Sequence, residues 1–226
     1  MKNHRPGTGI ALAMAATVGA LCFTPLSPAY ASPAAPAAAR SAAATAKSDQ
    51  LVRPLKYQLS LDGQRQQTNV YCVPASSSMS LSTFGIAVSQ STLAKKMKTA
   101  PPYGTEGVNA VPVINAYVKS SGYKYTMPTD ADGNPAVLMK RVSNNIGQLH
   151  RAPVLTVWME QLPWNKGKLK GTEIGHAIIA YGYDKAAGTI TVYDPWKPTG
   201  GTHTITASAL ARVLQPGGNM YYVSKL

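Results

Sequence analysis

Two neighbouring stretches decide how this chain folds: Gly175-His176-Ala177-Ile178-Ile179-Ala180-Tyr181-Gly182-Tyr183-Asp184 and, one short turn later, Thr189-Ile190-Thr191-Val192-Tyr193-Asp194. β-branched, aromatic and small apolar residues dominate both, and Gly188 closes the turn, so the pair reads as an antiparallel hairpin whose first strand is apolar enough to be buried. With residues 184–188 as the loop, its centre falls near Ala186 and Asp194 comes to lie opposite Ile178. His176 is then a diagonal neighbour of Asp194, at roughly 7–8 Å between backbones, within reach of a side-chain hydrogen bond.

Working outward, three more elements suit the same sheet. Val154-Leu155-Thr156-Val157-Trp158 and residues 220–223 read as strands, and residues 207–214 as a short helix. The first half is different. Apolar residues recur at three- and four-residue spacing over 74–84, 89–98, 108–120 and 135–149, with Gly85, Gly104, Gly107 and Gly122 as punctuation. Helices followed by strands predict an α+β fold, with N-terminal helices packed on one side of a C-terminal antiparallel sheet.

The N-terminus predicts a destination. Lys2 and Arg5 precede an uncharged, mostly apolar run from Gly9 to Phe23, and Ala29-Tyr30-Ala31 is a small-x-small cleavage signal. Residues 1–31 therefore read as a secretory signal peptide, since a run of fifteen residues is too short to span a hydrocarbon core of ~30 Å. Residues 32–50 read as an Ala/Pro-rich flexible leader, and residues 51–226 as a single domain. The expected location is secreted, either extracellular or cell-wall associated, without stable membrane insertion.

Charge and cysteine usage narrow the function. The chain carries 22 Lys and Arg against 9 Asp and Glu, a formal +13; removing residues 1–31 takes away Lys2 and Arg5 and no acid, leaving +11. The basic residues form no blocks interleaved with aromatics, so nucleic acid is not an expected partner, whereas anionic cell-wall polymers are. Two cysteines exclude a disulfide framework and a thiolate zinc cluster. Without the signal peptide, Cys72 is left with no partner for an intramolecular bond.

Cys72 stands in Gln66-Gln67-Thr68-Asn69-Val70-Tyr71-Cys72-Val73-Pro74-Ala75-Ser76, just ahead of the first helical pattern. Pro74 suits the first helical position and disfavours the α region at Val73, which puts Cys72 at or just before a helix N-terminus. The partial positive charge there favours a thiolate. Among the histidines of the predicted domain, His150 reads as surface and His203 as a weaker base than His176. The plainer reading of Asp194 is a turn residue before Pro195; the chemical one is a carboxylate that orients His176. Trp196, two residues on, could cover that pair, while Trp158 and Trp164 read as core or cleft lining. Gln66 or Gln67 could offer a side-chain amide to an oxyanion beside the Cys72 N–H.

Together, Gln66 to Ser76, Gly175-His176-Ala177 and Tyr193-Asp194-Pro195-Trp196 resemble the papain-like cysteine peptidases of the bacteriocin-processing (double-glycine leader peptidase) type, in a stand-alone exported form. The resemblance implies a papain-like fold and a Cys-His-Asp triad. It makes Cys72 the nucleophile, His176 the acid/base, Asp194 the orienting group and Gln66, six residues before the cysteine, the oxyanion donor. It also implies a monomer acting on peptide or protein substrates, with no cofactor and no metal. One departure is Val73, where the family usually has glycine; a β-branched residue would narrow the cleft if the backbone there needed φ > 0. The expected reaction is peptide-bond hydrolysis through an acyl-thioester. A cell-wall amidase or transpeptidase using the same residues, and a peptidase-like effector with weakened turnover, are the alternatives.

Overall fold

A computed structural model describes residues 54–226. The expected signal peptide and leader lie outside the described residues. Among the described residues seven strands form one sheet: β1 Lys56–Gln58, β2 Tyr123–Thr126, β3 Val154–Trp158, β4 Gly175–Asp184, β5 Thr189–Asp194, β6 Gly201–Thr206 and β7 Met220–Lys225. The helices are α1 Cys72–Ser82, α2 Gln90–Lys96, α3 Gly107–Val118, α4 Pro135–Gly147 and α5 Ala207–Val213. The order across the sheet is β2-β7-β3-β4-β5-β6, all antiparallel, and β1 pairs with β4 where β3 has ended.

The expected α+β arrangement of helices on an antiparallel sheet is present, with one correction. Helices cover both faces. Residues 176–183 of β4 are all buried, so apolar side chains leave both sides of the strand and each side needs its own cover. Ile178 and Ala180 join a core with Leu138, Val142 and Ile146 of α4 and Leu210 of α5. Ala177 faces the other way, into a core with Val73 and Leu81 of α1, Leu93 of α2 and Ile114 of α3.

α1 is the central helix, buried from Val73 to Leu81 although it carries Ser76, Ser77, Ser78 and Ser80. Small side chains let it lie close to the sheet, and most of their hydroxyls are spent on backbone carbonyls: Ser76 donates to Ala177 O at 3.1 Å, Ser78 to Val88 O at 2.7 Å and Ser80 to Ala152 O at 2.5 Å. These bonds offset the cost of taking hydroxyls out of water. The Ser76 bond also fixes the N-terminal half of α1 against β4.

Two asparagines fasten helices to strands by the same device. β2 is an edge strand, and Asn115 of α3 closes its free side by accepting from Tyr125 N–H at 2.6 Å and donating to Tyr125 O at 3.0 Å. β7 pairs with β3 only at Met220 and Tyr221, and beyond them Asn145 of α4 accepts from Val223 N–H at 2.9 Å and donates to Val223 O at 2.8 Å. Both side chains stand in for a missing strand.

Candidate active site

The helix begins at Cys72, two residues earlier than its proline suggested. Pro74 is the third helical residue and Val73 lies inside the helix, not in an extended conformation. The first turn tolerates this, because the N–H that proline lacks is one of the four with no intrahelical acceptor. Val73 therefore needs no positive φ. Its side chain is 5% exposed and packs in the core, with one edge on the cleft.

The hairpin brings the histidine and the aspartate together as its register requires. Ile179 pairs with Tyr193, so the next residue, Asp194, falls opposite Ile178, although a bulge between Ala180 and Gly182 shifts the pairing nearer the turn. His176 Nε2 lies 2.7 Å from Asp194 Oδ1. Both groups are buried, at 4% and 0% exposure. Asp194 also accepts from Trp196 N–H at 2.8 Å through Oδ1 and from the Trp164 indole N–H at 2.8 Å through Oδ2. Three donors make this a satisfied buried carboxylate. Burial works against its charge, but the bond to His176 and the two tryptophan donors outweigh it and hold Asp194 below the usual carboxylate range.

Nε2 faces Asp194, which leaves Nδ1 of His176 for the thiol. Burial of the half-exposed Cys72 opposes a thiolate, yet the hydrogen bond and charge of His176 and the backbone amides of Ala177 and Val73 bring its pKa below that of an ordinary thiol. For His176, burial pulls downward and the hydrogen bonds and charges of Asp194 and Cys72 pull upward; the balance is a rise to about 9. Cys72 shifted down and His176 shifted up are the directions that favour a thiolate–imidazolium pair.

Gln66 is 1% exposed and joins this group through its backbone: its N–H donates to Pro195 O at 2.8 Å, next to Asp194. One hydrogen of its side-chain amide goes to Thr68 O at 2.8 Å, and its second remains to be spent. Gln67 is exposed, and its N–H donates to Gln90 Oε1 at 3.0 Å. His150 is exposed and stacks on Tyr57, away from the cysteine. His203 stacks on Trp164 with centroids 3.9 Å apart and planes 1° apart.

Trp164 is the residue that sequence reasoning passed over. Trp164 packs against the core, as its sequence reading has it, and in addition its ring N–H donates to Asp194, while Trp196 contributes its backbone N–H. Trp164 lies in the loop between β3 and β4, where no period predicts direction. The single available signal is that a half-buried indole N–H has to find an acceptor.

A cleft of about 300 Å³ opens beside Cys72 and His176, bordered by Thr156, Glu106, Gly218 and Tyr221 among others. A thiol, an imidazole and a carboxylate in series at the edge of a cleft are groups of the kind that acyl transfer uses.

Residues 57–217 match the Peptidase_C39 like family. The chain belongs to that family. It is accordingly a cysteine-type peptidase. Two solved structures show the same fold. A C39-like peptidase from Bacillus anthracis is 15% identical, with a TM-score of 0.51 over 70% of this chain and 91% of that one. Xylellain, a cysteine protease from Xylella fastidiosa, is 10% identical, with a TM-score of 0.51 over 78% of this chain and 88% of that one. No curated protein matches the chain. For this C39-like peptidase the papain-like fold expected from the three sequence blocks holds.

Proposed function

We propose that this peptidase is exported and hydrolyses peptide bonds with Cys72 as nucleophile, His176 as acid and base, and Asp194 as the group that orients His176. The observation that carries the reading is the chain of contacts from the Cys72 thiol through the His176 imidazole to Asp194, ending in a 2.7 Å bond. Sγ attacks the scissile carbonyl carbon, and the oxygen takes up negative charge beside the Cys72 N–H and the unspent Gln66 amide hydrogen. As the C–N bond breaks, His176 delivers its proton to the departing amine, leaving an acyl-thioester. Water then attacks the thioester carbonyl, gives a proton to His176 and yields the carboxylic product as the thiolate leaves.

Three features support this over an inactive effector. Val73 sits in helical backbone and its side chain is accommodated in the core. Asp194 is locked by three donors. Gln66, not the exposed Gln67, is the buried member of the glutamine pair. Export rests on residues 1–31, and proximity to anionic wall polymers on the basic excess.

The test is a peptide-library digestion by wild type, Cys72→Ala, His176→Ala and Gln66→Ala, together with labelling by a thiol-directed affinity reagent. Cleavage is expected to vanish in the first two variants and to fall about 10²–10³-fold in the third. Cleavage that persists in Cys72→Ala overturns the reading. Release of fragments from purified peptidoglycan, with no cleavage of peptides, would turn it toward a wall amidase.

A further inference from the structure

The cleft beside Cys72 has a charge character opposite to that of the chain around it. The sequence holds 22 Lys and Arg against 9 Asp and Glu, yet none of the cleft-lining residues is Lys or Arg, and the one carboxylate among them is Glu106. Glu106 directly precedes α3 but makes no side-chain cap with it. It is exposed, and none of the ion pairs among the described residues involves it.

A second group in the same cleft is also unspent. Tyr221 is 1% exposed, and its hydroxyl is buried without a hydrogen-bond partner. A buried hydroxyl with nothing to bond is costly unless something supplies the bond when the site is filled. Burial and then the charge of Cys72 keep the proton on this phenol, so it lies within electrostatic reach of the nucleophile.

Gly107 shows that the two groups share a corner. A Cβ at Gly107, the residue after Glu106, would meet Met127 Cε at 2.7 Å and Tyr221 Cε1 at 3.6 Å, and one at Gly218 would meet Met127 Cε at 2.7 Å. The Met127 thioether thus fills the notch between two glycines next to the tyrosine edge. Three rotatable bonds let such a side chain swing aside or lie along an alkyl stem.

We propose that this corner binds a lysine or arginine side chain of the substrate close to the scissile bond, Glu106 meeting its charge, the Tyr221 oxygen accepting one of its N–H groups, and Met127 covering its stem. An acidic side chain would be repelled by Glu106 and by the Cys72 thiolate. A purely apolar one would leave the Tyr221 hydroxyl unpaired. The inference rests on the peptidase reading above and names the substrate class of that same site.

The test uses fluorogenic peptides scanned through the positions flanking the cleaved bond, with lysine, arginine, norleucine, citrulline and glutamate compared at each. At one position wild type is expected to favour lysine or arginine over the neutral isosteres by about tenfold in kcat/KM, the effect of one charge-assisted contact. Glu106→Gln should bring the lysine-to-norleucine ratio close to one, and Glu106→Lys should shift the preference to glutamate. Tyr221→Phe keeps the buried ring and should lower the ratio severalfold. Equal cleavage of lysine and norleucine peptides by wild type at every position overturns the subsite while leaving the peptidase standing. So does a ratio that Glu106→Gln does not move. Absence of any Cys72-dependent cleavage overturns both.

Discussion

The Cys72 sulfur is held by opposing effects of which the charge-stabilising ones prevail: burial resists the thiolate, while His176 and two backbone amides favour it. The same pairing raises His176 to about 9. Reactive thiolate paired with imidazolium therefore exists between a lowered acidic limit and an alkaline limit near 9, and these limits belong to the pair jointly. Alkylation of Cys72 by iodoacetamide is expected to stay fast well below the pH at which an ordinary thiol has lost its reactivity. In His176→Ala the hydrogen bond and charge are gone and burial remains, so the rate should rise only at alkaline pH, above ~8.5. Stopped-time labelling with mass spectrometry across pH 4 to 10 checks this, and superimposable profiles would refute the pairing. Peptidase activity should rise through the acidic limit and fall as His176 deprotonates near 9.

Among the elements, the two asparagine clasps carry the clearest prediction. Replacing Asn145 by Ala leaves the Val223 N–H and C=O unpaired in a buried place where β3 is too short to reach them. Each orphaned group costs about 1–3 kcal/mol, so Asn145→Ala should destabilise the fold by roughly 2–6 kcal/mol in urea unfolding, with an unchanged m-value. A loss under about 1 kcal/mol would mean that water replaces the clasp. The same elements show what the sequence could and could not convey. β3, β4, β5 and β7 were legible because β-branched and aromatic runs say how they pair, and the spacing of the hairpin placed Asp194 opposite Ile178. β1 and β2 carry no such signal, since Lys56–Gln58 is three residues long and Tyr123–Thr126 alternates with a lysine, and in Gly201–Thr206, mostly glycine and threonine, only residues 201–204 read as strand-like. Trp164 was illegible as a partner of Asp194 for a related reason, since a loop residue's direction is set by tertiary contacts and its spacing from Asp194 carries no period.

At the scale of the whole molecule, the buried site ties stability to pH. The native Asp194 carboxyl titrates below the usual carboxylate range, with three donors, of which His176 comes from the hairpin itself and two exist only when the segments carrying Trp164 and Trp196 are folded onto the β4–β5 hairpin. Between its unfolded pKa of ~3.9 and its lower native value, the unfolded chain binds a proton that the native one does not. Acidification through that window therefore favours unfolding, and the contribution of Asp194, complete above about pH 4, is lost as the native carboxylate protonates. His176 acts with the opposite sense: raised from an unfolded ~6.5 to about 9, its contribution is complete below the lower value and lost as pH rises through the upper one. The alkaline side is blunted by Cys72, whose lowered pKa adds stability as pH rises, so the acid side is the clean measurement. Calorimetric melting between pH 2 and 6 should show the wild-type midpoint falling steeply below pH 4. Asp194→Asn should begin from a lower midpoint at pH 6 and fall less over the same interval, because the titrating group is gone while the other carboxylates are unchanged. Parallel curves would mean that the buried carboxylate is not what couples the fold to acid.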